Sequence, residues 1–147
     1  MKRIARSAIV EHTAARMYAL VEDIEAYPQF LPWCVDAVVH ERAGPRTVAT
    51  LSVGMSGIRQ SFTTENLGQP GERIDMRLVK GPFRSFSAEW RFEALAGHAS
   101  RIEFSLEYEF SGRIVAKALG PIFGRIADTM VDAFTRRAAA IDVNDPD

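Results

Sequence analysis

The alternation of apolar and polar residues divides this chain into one long helical segment and a preceding run of strands. In residues 112–141, apolar side chains recur every three or four positions, which is the period of an α-helix. The wide apolar face of this helix needs a sheet to cover it, because helices in proteins gain most of their stability from packing. Gly120-Pro121 interrupts the segment. Since proline lacks a backbone N–H and clashes with the preceding turn, we expect a kink or a break there.

Residues 34–111 alternate apolar and polar side chains, which is the period of a β-strand. The alternation is clearest in 85–92 and in 101–110, where one parity is apolar and the other polar. This pattern is typical of an antiparallel sheet that is covered on one face. Turn signals separate about six strands, at 43–46, 54–57, 68–71, 80–83 and 96–99.

The N-terminal third has a mixed pattern. Residues 2–11 predict a first strand, and His12-Thr13 is suited to cap a short helix that follows it. Pro28 and Pro32 exclude a long helix in the unusually apolar connection that comes next. Since connections are normally on the surface, this one is expected to cap a core or to border a pocket.

These elements predict an α+β fold, in which a curved antiparallel sheet wraps around a long C-terminal helix. Two short helices follow the first strand. We expect a single domain over residues 1–142 and a disordered tail over 143–147. The apolar faces of the sheet and the helix would enclose a space between them.

The composition is that of an ordinary globular chain. Of the 147 residues, 47% are apolar and 25% charged, and the net charge of −1 does not favour DNA or RNA as a general ligand. No apolar stretch approaches the ~20 residues of a membrane span, and we expect no secretory signal. The only cysteine, Cys34, excludes an intramolecular disulfide, which is consistent with a cytoplasmic protein.

Large aromatic and methionine side chains are concentrated on the predicted inner faces. They suit a packed core and a cavity for an apolar ligand equally well, and the sequence alone does not separate the two. A cavity requires that the facing side chains do not fully meet. Gln60 and Thr64 share the parity of Phe62, so they are expected to point inward. The candidate ligand-binding residues are Tyr27, Phe30, Trp33, Phe62, Met76, Phe83, Trp90, Phe104, Tyr108, Phe123, Met130 and Phe134.

Candidate catalytic and metal-binding residues are few. His12, His40 and His98 are scattered and lack metal-ligand spacing, and Cys34 has no evident base near it in sequence. The glutamates of 101–110 lie on the polar parity, which favours a solvated face over acid–base chemistry. We therefore expect neither an enzyme nor a metal site nor a resident cofactor.

Basic residues cluster on the last helix, where they are interrupted by Asp128 and Asp132. The spacing predicts the ion pairs Arg125–Asp128 and Asp132–Arg136. The cluster forms either an ordinary solvated face or a contact surface for RNA or anionic lipid. Its members are Arg113, Lys117, Arg125, Arg136 and Arg137.

Four spaced motifs resemble the coenzyme Q-binding protein family of START-like domains, and the likeness covers nearly the whole chain. The motifs are DIEAYPQFLPWC at 23–34, QSFTTEN at 60–66, GPF at 81–83 with WRF at 90–92, and MVDAFTRRA at 130–138. The resemblance implies a helix-grip fold with a hydrophobic cavity. It also implies binding of ubiquinone or a similar polyprenyl lipid by a carrier that supports respiration and contacts the inner membrane transiently.

The resemblance leaves two other functions open. Its bacterial branch of ribosome association toxins implies binding to the large ribosomal subunit and a block on subunit association. Some START-like relatives are cyclases or dehydratases, but the acid–base residues of such enzymes are not apparent here. An apolar inner face supports lipid binding directly. Ribosome binding would need a basic outer surface, whereas the chain is slightly acidic overall. Ubiquinone binding is therefore the first hypothesis, and ribosome binding is the second.

Overall fold

The structure, a computed structural model, describes residues 1–55 and 57–144. Seven strands and two α-helices make up most of this part of the chain. Short 3₁₀ helices at Ile24–Gln29 and Ala96–His98 complete it. The main elements are β1 (Lys2–Val10), α1 (Ala14–Glu22), β2 (Cys34–Ala43), β3 (Arg46–Met55), β4 (Ile58–Gln69), β5 (Arg73–Lys80), β6 (Phe83–Ala94), β7 (Ser100–Phe110) and α2 (Arg113–Asn144).

The described strands form one antiparallel sheet in the order β1-β7-β6-β5-β4-β3-β2. From β2 to β7 each strand pairs with the next along the chain, and β1 joins the far edge by pairing with β7. Side chains of one parity face α2, while the other parity forms an outer face that no helix within residues 1–55 and 57–144 covers. The predicted α+β helix-grip architecture and the six strands between residues 34 and 111 are confirmed.

Helix α2 is continuous from Arg113 to Asn144 with Pro121 inside it. Of the two predicted outcomes, a kink or a break, the break was wrong. Leu119, Ile122 and Phe123 are buried on both sides of the proline, and their packing holds the helix together despite one missing backbone bond. The helix includes the first two residues of the predicted tail 143–147, while 145–147 lie outside the described residues. No helix in the described part of the chain is long and apolar enough to cross a membrane.

Between β1 and β2, the chain forms the short helix that was predicted after His12-Thr13 and no long helix around Pro28. Thr13 caps α1, since its Oγ1 accepts a hydrogen bond from the backbone N–H of Arg16 at 3.1 Å. The 3₁₀ helix that contains Pro28 then brings Tyr27 and Leu31 into the core. The connection therefore caps the core, as one of the two sequence-based alternatives proposed.

The turn predicted at 68–71 begins later than expected. Strand β4 runs through Gly68 to Gln69, and Gly68 is buried beneath α1. In the sequence, Gly68 suggested a turn. In the structure, the lack of a side chain at Gly68 allows the Tyr18 side chain to approach the strand. The 54–57 turn was predicted around Ser56, which lies outside the described residues.

Candidate functional site

Six aromatic rings meet between the sheet and the first half of α2. Phe123, on α2, lies 5.0 Å from Phe83, 5.7 Å from Phe62 and 5.7 Å from Tyr108, measured between ring centroids. The angles between the planes are mostly edge-to-face or tilted, which is the favourable arrangement for aromatic pairs. We call this group the aromatic cluster; its members are Phe62, Phe83, Phe86, Tyr108, Phe110 and Phe123.

A second set of rings surrounds Phe134, further along α2. The Phe134 centroid lies 5.1 Å from Phe30, 5.4 Å from Tyr27 and 5.3 Å from Trp90. The guanidinium of Arg137 lies 5.0 Å from the Phe30 ring, so a cation–π contact covers the set on its solvent side. The apolar connection between α1 and β2 is thereby joined to the C-terminal half of α2.

The predicted ligand-binding side chains all belong to one hydrophobic core. Phe30 and Met76 are partly buried, and the others are fully buried. A ligand cavity between sheet and helix would require facing side chains that do not fully meet, but the described rings are in contact. A cavity of about 10 Å³, room for about one water, lies beside Tyr27 and Met76. Parity places side chains on the inner face, but it does not distinguish side chains that line a cavity from those that fill it.

The inner face holds few polar groups. Gln60 is exposed, so its expected inward position was wrong; Thr64 does point inward and donates to Asn66 Oδ1 at 2.9 Å. The Tyr27 hydroxyl donates to the carbonyl oxygen of Val21, and burial raises the pKa of Tyr27, so the phenol stays protonated. The indole N–H of Trp33, a side chain only 3% exposed, has no acceptor among the described residues.

The outer face of the sheet carries a groove that parity did not reveal. Its volume is about 570 Å³, and two rows of side chains cross it at right angles to the strands. One row is Arg3, Glu107, Ser87, Arg77 and Glu65, and the other is Ala5, Ser105, Glu89, Asp75 and Leu67. Arg3–Glu107 at 2.6 Å and Arg77–Glu65 at 2.5 Å neutralise the first row. The sequence showed this face as polar, but the twist of the sheet makes it a groove.

The residues weighed for catalysis lie apart. His40 hydrogen-bonds Thr50 Oγ1 at 2.6 Å, and His98 is exposed in a turn. Burial raises the pKa of the Cys34 thiol to about 11, which leaves it protonated and unreactive near neutral pH. Among residues 1–55 and 57–144, no group of three histidine, cysteine or acidic side chains is placed to hold a metal ion.

Comparison with known proteins assigns the chain to a family. The sequence model of the family described as "Polyketide cyclase / dehydrase and lipid transport" matches residues 10–135. The chain belongs to this family.

Three similar proteins illustrate the range of the family. The ribosome association toxin RatA of Vibrio cholerae is 42% identical over 141 residues, which cover 96% of this chain and 98% of RatA. The mitochondrial coenzyme Q-binding protein COQ10 homolog B of Xenopus laevis is 26% identical over 95% of this chain and 60% of its own length. The solved structure of a START superfamily protein from Mycobacterium smegmatis superposes with a TM-score of 0.78 at 19% identity, over 95% of this chain and 98% of that one. The START-like resemblance is therefore confirmed.

Proposed function

We propose that this protein associates with the large ribosomal subunit and opposes the joining of the two subunits. The observation that carries the proposal is its 42% identity to a ribosome association toxin over almost the full length of both chains. A second support comes from α2. Arg125 is exposed and has no carboxylate partner among the described residues, because Asp128 and Asp132 are engaged by Arg6 and Arg136. A free guanidinium on a helix face suits a phosphate contact.

This proposal reverses the order of the two sequence-based hypotheses. Ribosome binding was ranked second because the chain is slightly acidic overall. Net charge describes the whole surface, however, whereas binding to RNA depends on local groups of unpaired basic side chains. The proposed action is binding alone and includes no chemical step.

A sucrose-gradient profile tests the proposal. Purified protein is added to ribosomes, and we expect it to sediment with large subunits while the ratio of joined to free subunits falls. Arg125→Glu should weaken this association. Arg101→Glu is the matched control, since Arg101 is a half-exposed arginine on the outer sheet face, away from α2. If the wild-type protein stays at the top of the gradient and the subunit ratio is unchanged, the proposal is wrong.

A second candidate function is the binding of an apolar ligand that carries a carbonyl group, such as ubiquinone. The unpaired indole N–H of Trp33 favours it, since a buried donor without an acceptor is costly and a ligand oxygen would satisfy it. Because the described rings touch one another, such a ligand would have to separate them. The 26% identity to a coenzyme Q-binding protein supports this candidate as well.

Lipid extraction followed by mass spectrometry, together with quenching of tryptophan fluorescence by added ubiquinone, tests this second function. We expect co-purified quinone and saturable quenching. Trp33→Phe keeps an apolar ring but removes the donor, so the purified variant should carry less quinone than the wild-type protein does. Protein that carries no quinone and shows no quenching would contradict the candidate.

A further inference from the structure

One end of the molecule collects three segments that are far apart in the sequence. The β3–β4 hairpin, closed by the pair Met55 and Ile58, lies at the end of the sheet where β5 turns into β6 and where β7 leads into α2. The backbone N–H of Ser111 donates to the carbonyl oxygen of Pro82 at 3.0 Å and joins the last two segments. We call this end the tip; it comprises residues 54, 55, 57–60, 79–84 and 111–117.

The tip is positively charged although the chain is not. Residues 54–60, 79–84 and 111–117 contain no aspartate or glutamate. Glu109, beside the tip, pairs with Arg84 at 3.1 Å and with the N-terminal amino group at 3.8 Å. The other basic side chains of the tip have no ion-pair partner among the described residues. The basic residues of the tip are Arg59, Lys80, Arg84, Arg113 and Lys117.

The tip also exposes aliphatic side chains. Ile114 is 87% exposed, Val79 59% and Ile58 39%. Each lies in or beside a turn, and none is needed to fill the core, which lies beneath them around Phe83. Exposed large apolar side chains among unpaired cations mark a surface that is buried against something else.

We propose that the tip docks on an anionic lipid bilayer, where Ile114 and Val79 enter the interface and the basic side chains contact the headgroup phosphates. Lys and Arg are attracted to anionic headgroups, and aliphatic side chains partition into the boundary between headgroups and acyl chains. RNA is the competing partner. Single-stranded RNA is bound through aromatic side chains or arginine planes that stack on bases, whereas the exposed apolar side chains of the tip are aliphatic. The proposal goes beyond ribosome association and does not depend on it.

Vesicle flotation tests the proposal. The full chain is mixed with vesicles of phosphatidylcholine alone, or with about 30 mol % phosphatidylglycerol added. We expect flotation with the anionic vesicles only, and less of it as sodium chloride rises from about 50 to about 500 mM. Ile114→Ser should weaken binding about fivefold, because a single aliphatic insertion is lost. Arg113→Glu together with Lys117→Glu should abolish it.

Matched controls separate the tip from the rest of the surface. Ile9→Ser changes a side chain that is 65% exposed on β1 and lies outside the tip. Arg125→Glu reverses a charge on α2 about 12 Å beyond Lys117, at 1.5 Å per residue. Both variants should float like the wild-type protein.

Two results would overturn the proposal. In one, wild-type protein floats equally poorly with both vesicle compositions. In the other, the tip variants keep wild-type flotation but no longer sediment with ribosomal subunits, which would make the tip an RNA-binding surface. Loss of ribosome association by Arg125→Glu, with normal flotation, supports the membrane role of the tip and assigns the ribosome contact elsewhere.

Discussion

The hydroxyl oxygen of Tyr18 lies 2.1 Å from the position that a Cβ atom would occupy at Gly68. No real Cβ atom tolerates such a distance, so α1 and β4 pack closely only because residue 68 has no side chain. The same hydroxyl donates to Glu22 Oε1 at 2.8 Å. This close approach holds the short helix α1 on the sheet.

Gly68→Ala should therefore destabilise the protein by about 1–3 kcal/mol, the usual cost of overpacking. Urea unfolding followed by circular dichroism measures it. Tyr18→Phe removes the hydroxyl, so Gly68→Ala should cost less in that background. The matched control is Gly124→Ala on α2, where a Cβ atom meets nothing within 4 Å and helix propensity favours alanine. Equal effects of the two glycine substitutions would contradict this account.

The aromatic cluster makes a second prediction. Phe123 is 2% exposed and contacts rings from β4, β6 and β7. Phe123→Ala should cost about 3–5 kcal/mol, since it leaves a cavity between helix and sheet. Ile114→Ala, on the exposed start of the same helix, should change the unfolding free energy by less than about 0.5 kcal/mol. A loss at Phe123 as small as that at Ile114 would show that the rings do not pack as described.

Glu65 links stability to pH. Its carboxylate accepts hydrogen bonds from Arg46 and Arg77, and these bonds hold the pKa of Glu65 below its usual value. A carboxyl group with a lowered native pKa stabilises the protein above its unfolded pKa of about 4.3 and loses that contribution as the pH falls through the native value. Glu65→Gln should lower the urea midpoint at pH 7, and the difference from wild type should shrink below about pH 4. Glu41→Gln, which removes an exposed partner of Arg46, is the control. A difference that does not change with pH would contradict this linkage.

Cys34 makes a prediction about reactivity. Burial raises its pKa to about 11, so the native thiol is protonated at pH 8 and also shielded. Iodoacetamide should label native protein slowly at pH 8 and urea-unfolded protein rapidly, as mass spectrometry would show. Since the unfolded thiol ionises near pH 8.5, the contribution of this group to stability is complete below that pH and is lost as the pH rises towards 11. Rapid labelling of the native protein would contradict this environment.

Several features could be predicted from local pattern because they depend on backbone geometry alone. The 3.6-residue period located α2, and the two-residue period located the strands and put Phe62, Trp90 and Phe104 on the inner face. The Thr13 cap needed only neighbouring residues. The motifs at 23–34 and 130–138 resembled START-like domains, and the family model described as "Polyketide cyclase / dehydrase and lipid transport" then matched residues 10–135.

Other features depend on contacts between residues that are distant in sequence. Asp128 was predicted to pair with Arg125 on its own helix, but it pairs with Arg6 of β1 at 3.0 Å, because the approach of β1 brings that guanidinium nearby. Pro121 was predicted to kink or break α2, but packing of its neighbours keeps the helix unbroken. The tip likewise gathers its charge from three separate segments.

The sequence by itself determined which large apolar side chains lie on the inner face, because the periods of helix and strand alternate the direction of successive side chains. Only the tertiary structure decided how closely they approach, and it placed Phe83 and Phe123 in ring contact rather than across a hollow. That distance depends on the curvature of the whole sheet and on the volumes of all the side chains that share the space, and no local pattern contains it.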